Sequence, residues 1–509
     1  MYDPKKSDSC IVAVKSANKP AEAGAESIER RQGAERNTGG TCTHRTQSRA
    51  RVSPGLERVR ERAKRSKKER FTSLLPHVDV ELLRWAYKRL KRDASPGVDQ
   101  WTWAEYGKQL EENLINLHGR LHRGAYRALP SRRVFIEKDD GRRRPLGVAS
   151  LEDKILQRAL VAVLNAVYEV DFLGFSYGFR PGRSQHDALD ALATGIVRRK
   201  VNWIVDADIS SFFDRVDHGW LDRFLKHRIG DLRVLRLLGK WLKAGVMEDG
   251  ELKPTDEGTP QGAVISPLLA NVYLHYVFDL WVDQWRKRHA EGDVIVVRYA
   301  DDTVVGFQHE DTARRFLADL HTRLGAFGLS LHPAKTRLIR FGRYAADKQR
   351  QRGLSKPETF DFLGFKHICS RNRFGYFQLK RRTCRHRMNR RLREIKEGLR
   401  QRMHDSTQEQ GRWLQQVVEG YFQYHAVPTN LQRLGAFRYH VMQKWQRVLR
   451  RRSQKDRTSW ERMNQLAERW LPRVQLLHPW PEARFAVKHS RWEPSARVAP
   501  ARICAGGVQ

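Results

Sequence analysis

Cysteine is scarce in this 509-residue sequence, and long apolar runs are absent. Its five cysteines, Cys10, Cys42, Cys369, Cys384 and Cys504, form no Cys-x-x-Cys pair, so the pattern indicates free thiols rather than a zinc site or a disulfide framework. There is no stretch of about 18 uninterrupted apolar residues and no apolar signal core near the start, which argues against a membrane span and against export. We therefore expect a cytoplasmic protein without a membrane partner.

Acidic residues are also in short supply relative to basic ones. The chain has 96 Lys plus Arg against 58 Asp plus Glu, giving a net charge of +38. An excess of this size points to a polyanionic partner, most simply nucleic acid, although a ribosomal protein would have a similar balance. With 40% hydrophobic residues, a chain of this length is expected to form roughly two to four domains.

The N-terminal part is the least hydrophobic. Residues 1–56 lack aliphatic periodicity and are predicted to be a disordered basic tail. Residues 57–70 are basic and favour a helix, which would either be a solvated surface helix or an RNA-binding extension. Apolar residues at helical spacing predict a further helix over 78–91.

Two adjacent carboxylates, Asp301 and Asp302, interrupt an apolar region in the sequence Tyr299-Ala300-Asp301-Asp302. Residues 294–297 and 303–307 read as buried strands joined by a tight turn, which places both carboxylates at its tip. A hydrophilic β-turn would explain the pair equally well if it stood alone. A second apolar strand, residues 203–209, also carries carboxylates, at Asp206 and Asp208.

Two apolar strands that each deliver carboxylate oxygen at one end suit a two-metal phosphoryl-transfer site, with Mg²⁺ as the preferred ion. We expect Asp208 to be the ligand and Asp206 to be structural. Asp208 begins the sequence Asp208-Ile209-Ser210-Ser211-Phe212-Phe213, which puts an aromatic ring five residues after the carboxylate.

At these motifs the sequence resembles the group II intron-encoded reverse transcriptase/maturase family, from about residue 70 to about 485. Segments 208–213 and 299–302 resemble the two catalytic motifs, and Gly258-Thr259-Pro260-Gln261-Gly262 resembles the template-and-nucleotide motif between them. Further matches are Gly141 to Gly147, Ser176 to Gly182, Leu329 to Thr336 and Phe362-Leu363-Gly364-Phe365. Gly420-Tyr421-Phe422 and His478-Pro479-Trp480-Pro481 resemble the maturase thumb, or X, domain.

The resemblance implies roles for the carboxylates. Asp208 and Asp301 would be the principal catalytic metal ligands, Asp302 an auxiliary one, and the carbonyl of Ile209 a further metal contact. The cofactors would be two Mg²⁺ ions, with Mn²⁺ as an alternative.

The family resemblance also implies a set of nucleotide-binding residues and a primer grip. Each residue of the nucleotide-binding set also has a structural interpretation. Lys138 and Arg144 could lie in a solvated basic hairpin, Gln261 in a helix-capping turn, Phe213 in the core, and Lys335 on the surface. The implied nucleotide-binding residues are Lys138, Arg144, Phe213, Gln261 and Lys335, and the primer grip is Phe362, Leu363 and Gly364. Phe213 would exclude a ribose 2′-hydroxyl, and Lys335 would protonate the leaving pyrophosphate.

The expected fold class is α+β, a right-hand polymerase with fingers and an antiparallel palm sheet, followed by an α-helical thumb. The predicted boundaries are 57–200 for the N-terminal extension and fingers, 201–372 for the palm, 373–485 for the helical thumb and 486–509 for a short tail. The H-N-H endonuclease domain of many family members is expected to be missing, because only a short tail follows His478-Pro479-Trp480-Pro481.

The sequence therefore predicts an RNA-directed DNA polymerase that also acts as a maturase in splicing and in intron mobility. Expected partners are the intron RNA template, a DNA primer or target and dNTPs, in a nucleoid-associated ribonucleoprotein, and a homodimer is compatible with the sequence. Two alternatives stay open. One is an RNA-binding splicing factor with a vestigial polymerase site, and the other is a CRISPR-associated, retron or diversity-generating reverse transcriptase.

Overall fold

The computed structural model describes residues 54–137, 143–248, 250–254, 257–259, 262–351, 353, 356–452 and 458–488. The predicted disordered tail thus lies almost wholly outside the described residues. The α-helices are Pro54–Arg65, Val80–Lys88, Trp103–Tyr106, Leu110–His122, Leu151–Asp171, Gln185–Arg198, His218–Arg228, Leu232–Lys243, Ser266–Leu274, Leu280–His289, Glu310–Gly325, Ala345–Gln351, Arg385–Gln401, Thr407–His425, Leu431–Arg450, Trp460–Trp470 and Pro481–Lys488.

The strands are β1 (Ser131–Glu137), β2 (Arg143–Val148), β3 (Trp203–Ala207), β4 (Val246–Glu248), β5 (Glu251–Lys253), β6 (Val294–Tyr299), β7 (Asp302–Phe307), β8 (Arg337–Arg340), β9 (Thr359–Phe362), β10 (Phe365–Arg371) and β11 (Phe377–Thr383). They form three sheets, with orders β2-β1-β4-β5, β6-β7-β3-β8 and β11-β10-β9. Their pairs are antiparallel except for β1 with β4, which is parallel.

The sheet β6-β7-β3-β8 is apolar on both faces. Val205 and Val305 face each other across β3 and β7 and pack into the largest core, together with the long helix Leu151–Asp171. Ile204 and Val304 lie on the opposite face and pack into a second core with the helix Gln185–Arg198. Burial on both faces explains why these strands read as continuous apolar runs rather than as alternating ones.

The C-terminal part is helical, but its start differs from the prediction. Residues 377–383, which fall inside the expected helical segment 373–485, form strand β11 and pair with β10. Leu379, Arg381 and Thr383 alternate inward and are buried, so the local period is that of a strand despite the many arginines. The helical part begins at Arg385, and its helices share one core around Trp445.

The residues after this helical core return to the helix Gln185–Arg198. The backbone N–H groups of Leu477 and His478 both donate to the carbonyl oxygen of Ala426, at 3.1 and 3.2 Å. The Arg484 guanidinium then pairs with buried Asp190, with Nε 3.2 Å from Oδ2. The motif at 478–481 therefore connects two regions that are far apart in sequence.

The structure is a mixed α/β fold with antiparallel sheets and many helices, as the sequence predicted. Its division into fingers, palm and thumb, and the domain boundaries, stay predictions. The predicted helix over 78–91 is found at Val80–Lys88. Across the described residues, no helix is both long enough and apolar enough to cross a membrane.

Candidate catalytic cleft

A two-residue turn joins β6 to β7 and carries the adjacent carboxylates. Tyr299 pairs with Asp302 across the hairpin, so Ala300 and Asp301 form the turn itself. Ala300 has φ of +55°, an uncommon conformation for a residue with a side chain. The Asp301 side chain is half-buried and Asp302 is exposed, which puts both at the protein surface.

A fully buried guanidinium supports this turn from below. Arg298 donates two hydrogen bonds to the Asp279 carboxylate, both 2.6 Å, and one each to Asn271 Oδ1 at 3.1 Å, the Ala300 carbonyl at 2.9 Å and Ser176 Oγ at 2.7 Å. Since arginine has five N–H donors, every one is satisfied. The network was not predicted, and the only signal for it in the sequence is a charged residue within an apolar strand.

Gly178 packs against the same turn. A Cβ atom at this position would clash with the backbone nitrogen of Ala300, so only glycine allows the approach. The carbonyl of Gly178 accepts a hydrogen bond of 2.7 Å from Asn271 Nδ2. The segment 176–178 and Asn271 therefore hold the turn on one side while Arg298 holds it from within the sheet.

Asp208 follows the end of β3 and faces the same cleft. Its Oδ2 is 2.7 Å from Lys335 Nζ, and its carbonyl accepts from the backbone N–H of His332 at 2.8 Å. Asp206 also reaches the cleft, where its Oδ2 lies 3.4 Å from Arg337 Nη2. The structure thus brings Asp208, Lys335 and the hairpin carboxylates together. Ile209 is buried next to them and bridges Leu331.

The electrostatics of the cleft disfavour its own negative charge. Although the Asp302 side chain reaches the surface, surrounding protein atoms displace part of the water near its carboxylate, and the neighbouring Asp301 and Asp208 add repulsion, so the pKa of Asp302 rises to about 7. Loss of hydration and Asp208 also raise the pKa of Asp301, against an opposing effect of Arg144 and Lys335. Burial likewise raises the pKa of Asp206 to about 6, despite Arg337. A cation is the natural way to stabilise such a cluster.

The cleft has a volume of about 390 Å³ and a second hairpin turn at its edge. Phe362, Leu363 and Gly364 line it together with Asp208 and Asp302. Leu363 and Gly364 form the turn between β9 and β10, with φ of +46° and +82°. The Leu363 carbonyl accepts a 2.6 Å hydrogen bond from the Tyr424 hydroxyl, which fixes this turn to the helix Thr407–His425.

Phe213 lies partly buried in a short 3-10 helix, Phe212–Asp214, and packs at the edge of the main core. The loop after it packs onto its backbone: the Thr259 N–H donates to the Phe213 carbonyl at 2.7 Å. Added Cβ atoms would come within 2.8 Å of the Phe213 oxygen at Gly258, and within 2.5 Å of the Gly147 oxygen at Gly262. These glycines therefore allow close approach to protein backbone.

The remaining predicted nucleotide-binding residues are placed in part. Arg144 lies in β2, opposite Ile136, and is close enough to lower the pKa of Asp301. Lys138 and Gln261 lie outside the described residues. Of the predicted site residues, Asp208, Asp302, Lys335, Phe362, Leu363 and Gly364 line the cleft, and Asp301 adjoins it in the β6–β7 turn. Ile209, Phe213 and Arg144 are not among the lining residues, so their predicted roles stay predictions.

The cleft carboxylates and Lys335 lie in a region of the chain that is similar to known proteins. Residues 136–367 match the family described as reverse transcriptase (RNA-dependent DNA polymerase). Similar proteins include Protein YkfC of Escherichia coli (strain K12), 41% identical over 184 residues, which are 36% of this chain and 48% of that protein. Group II intron-encoded protein LtrA of Lactococcus lactis subsp. cremoris is 39% identical over 166 residues, 32% of this chain and 27% of LtrA.

A plant relative extends the set. Nuclear intron maturase 2, mitochondrial, of Arabidopsis thaliana is 32% identical over 111 residues, 20% of this chain and 14% of that protein. The chain thus spans about half of the length of YkfC and smaller shares of the other two. Residues 136–367 are thus similar to the reverse transcriptase family, and parts of the chain are similar to a group II intron-encoded protein and to an intron maturase.

Proposed function

We propose that the chain is an RNA-directed DNA polymerase that extends a DNA primer on an RNA template with dNTPs. The observation that carries the proposal is that Asp208, Asp302 and Lys335 line one cleft, with Asp301 in the adjoining turn and close enough to interact with Asp208 and Lys335. These side chains come from the end of β3, the β6–β7 hairpin and the loop before β8. Within a reverse transcriptase domain, such a cluster fits nucleotidyl transfer.

The residues fit a pair of Mg²⁺ ions. The three carboxylates offer oxygen-only ligands, which Mg²⁺ prefers. The pKa values of Asp301 and Asp302 are raised by loss of hydration and by repulsion from neighbouring carboxylates, and a divalent cation would offset both effects. When bound, the ions would activate the primer 3′-hydroxyl and neutralise charge on the transferred phosphoryl group. Mn²⁺ is the expected substitute.

The protein's own groups would position the substrates. Arg144, together with Lys138, would bind the triphosphate, and Gln261 would lie beside the incoming nucleotide. Phe213 would sit under the sugar and disfavour a 2′-hydroxyl. The Lys335 ammonium, now paired with Asp208 at 2.7 Å, would deliver a proton to the leaving pyrophosphate. The turn at Leu363 and Gly364 would hold the primer end.

We further propose that the chain binds intron RNA as a maturase and works within a ribonucleoprotein. Support comes from the names of its relatives and from the basic helix Arg385–Gln401. Its arginines would neutralise phosphates without reading sequence. Participation in intron mobility follows from combining both activities.

The test is primer extension by the purified chain on poly(rA)/oligo(dT) with Mg²⁺, comparing dTTP with UTP. We expect dTTP incorporation that Asp301→Asn abolishes and Asp222→Asn leaves intact. Asp222 is a suitable control because its carboxylate is surface-exposed and pairs only with neighbouring Lys226 among the described residues. Efficient use of UTP would contradict the role given to Phe213.

The splicing-factor alternative has a distinct outcome. If folded wild-type protein binds RNA and promotes splicing but never incorporates dTTP, the polymerase proposal is wrong. If Asp208→Asn removes DNA synthesis but keeps splicing assistance, both activities exist and are separable. A CRISPR-associated, retron or diversity-generating role would instead give DNA synthesis without any effect on intron splicing.

A further inference from the structure

The hairpin β10–β11 displays two aromatic rings at its tip. Phe374 and Tyr376 are 67% and 73% exposed, the largest exposures of any large hydrophobic side chain in the described part of the chain. Isolated exposed apolar residues are ordinary, but two rings on one short turn are not explained by packing.

The turn that presents these rings is well ordered. Asn372 Oδ1 accepts hydrogen bonds from the backbone N–H groups of Phe374 at 2.9 Å and Tyr376 at 3.0 Å. The Asn372 N–H donates to the Tyr376 carbonyl at 2.9 Å, and the Gly375 N–H to the Asn372 carbonyl at 3.0 Å. The rings are therefore held outward by a preorganised backbone, so little conformational entropy would be lost on binding.

The two faces of the hairpin differ sharply. Phe365, His367 and Leu379 face inward and are buried. The outward face carries the cross-strand pairs Lys366 with Arg382, Ile368 with Lys380, and Ser370 with Gln378, all half-buried. Lys380 and Arg382 form no ion pair with any carboxylate in the regions that the structure describes. The outward face therefore offers positive charge to a partner.

This face is continuous with the candidate catalytic cleft. Lys366 pairs with Asp361 at 2.8 Å, and Asp361 lines the cleft with Asp208. From there the seven residues of each strand extend about 20 Å to the aromatic tip. At the tip, the Arg373 guanidinium lies 4.6 Å from the centre of the Phe374 ring.

We propose that the hairpin β10–β11 is a docking surface for single-stranded nucleic acid, with bases stacked on Phe374 and Tyr376 and phosphates paired with Lys380 and Arg382. Exposed rings flanked by cations are the combination that binds unpaired bases without sequence preference. A duplex hides its base faces and gains little from such rings. The inference that a strand bound here continues into the cleft rests on the proposed polymerase function, whereas binding to the hairpin itself does not.

The experiment measures binding of the full chain to fluorescein-labelled oligo(U) RNA, oligo(dT) DNA and a blunt duplex by fluorescence anisotropy. We expect Phe374→Ala with Tyr376→Ala to weaken single-strand binding about tenfold or more and to change duplex binding little. The paired leucine substitutions should weaken it equally, because leucine keeps apolar surface but cannot stack. Ile115→Ala, which removes a 60% exposed apolar side chain on the helix Leu110–His122, should have no effect.

Site-resolved cross-linking adds an independent readout. Photoreactive oligo(U) should label the tryptic peptide 374–380, and the alanine variant should lose that label. The proposal would be overturned if either the alanine or the leucine variant bound single strands as tightly as wild type. It would also be overturned if the oligo(U) probe labelled only other peptides. An alanine variant that changes self-association, measured by sedimentation, while keeping its RNA affinity would likewise overturn it. Comparison of RNA with DNA probes shows which strand type the surface favours.

The outcomes separate this inference from the proposed function. Primer extension on poly(rA)/oligo(dT) is measured with the same preparations. Ring-dependent binding by a chain that does not polymerise would support the hairpin and refute the polymerase. Normal polymerisation with ring-independent binding would refute the hairpin alone. Because both rings are exposed, unchanged thermal unfolding of the variants is expected.

Discussion

Removing the buried guanidinium of Arg298 should separate folding stability from the positioning of the β6–β7 turn, which carries Asp301. Arg298→Met leaves the Asp279 carboxylate, which is fully buried, without its two 2.6 Å hydrogen bonds. Breaking a buried ion pair in this way costs about 3–5 kcal/mol of unfolding free energy. Adding Asp279→Leu removes the stranded charge, so the double variant should regain about 2 kcal/mol or more.

Polymerase activity should not follow the same recovery. In the double variant the Ala300 carbonyl still lacks its donor, as do Asn271 Oδ1 and Ser176 Oγ. The turn that carries Asp301 would lose its support, and a displacement of about 1 Å can slow catalysis by about 10²-fold. We therefore expect primer extension by the double variant to remain at least about tenfold slower than wild type.

Urea unfolding followed by tryptophan fluorescence, together with primer extension, tests both parts. Arg286→Met is a second buried-pair variant for comparison, because Arg286 pairs with buried Asp283 at 2.8 Å, away from the β6–β7 turn in sequence, while Lys287 at 2.7 Å still balances the Asp283 charge. It should lower stability and leave the activity of the folded protein unchanged. A double variant no more stable than Arg298→Met alone, or one with wild-type activity, would refute the reasoning.

Two further predictions concern the cleft. Lys335→Met should slow nucleotide incorporation at saturating dNTP about 10²-fold or more, because the proposed general acid is lost. Single-turnover primer extension measures this rate, and an unchanged rate would mean that Lys335 is only an ion-pair partner of Asp208. The pKa of Asp302 is raised to about 7 in the folded protein, so this carboxyl binds a proton more tightly in the folded state than in the unfolded state. Its contribution to the unfolding free energy of the metal-free protein therefore declines as pH rises from about 4 to 7. Mg²⁺ should therefore raise the unfolding temperature at about pH 8 and hardly at about pH 5. Asp302→Asn should remove most of this difference between the two pH values. Equal Mg²⁺ effects on the unfolding temperature at both pH values would argue against the metal site.

The strands that carry the carboxylates could be predicted because apolar runs flank each of them. Burial of the central sheet on both faces gives those runs their continuity, and the turn at Ala300 and Asp301 falls between them as expected. The family resemblance implied that Phe362, Leu363 and Gly364 form a primer grip, and the structure places Leu363 and Gly364 in the turn between β9 and β10. The prediction that these distant segments meet in space, however, rested on the family resemblance and not on the local sequence pattern.

Other features left too little signal in the sequence. Arg298 is recognisable in the sequence only as a charged residue within an apolar strand, and tertiary packing alone shows that all its donors are used inside the protein. The π-helical turn His275–Asp279, which carries Asp279, alters the hydrogen-bond spacing by one residue without an obvious change in composition. The sequence predicted a helical segment from residue 373, but residues 377–383 form a strand in which Arg381 is buried beside Asp190 at 2.8 Å.

The strand order β6-β7-β3-β8 has a consequence for synthesis on the ribosome. Trp203 in β3 pairs with Phe307 and Arg340, which are translated much later. At about 5–20 residues per second, β3 would wait several seconds or more for its neighbours as an unpaired apolar strand. The nascent chain therefore exposes an aggregation-prone segment that a holding chaperone could protect. It cannot assemble the cleft around Asp208 until β8 has emerged, so incomplete chains should have no polymerase activity.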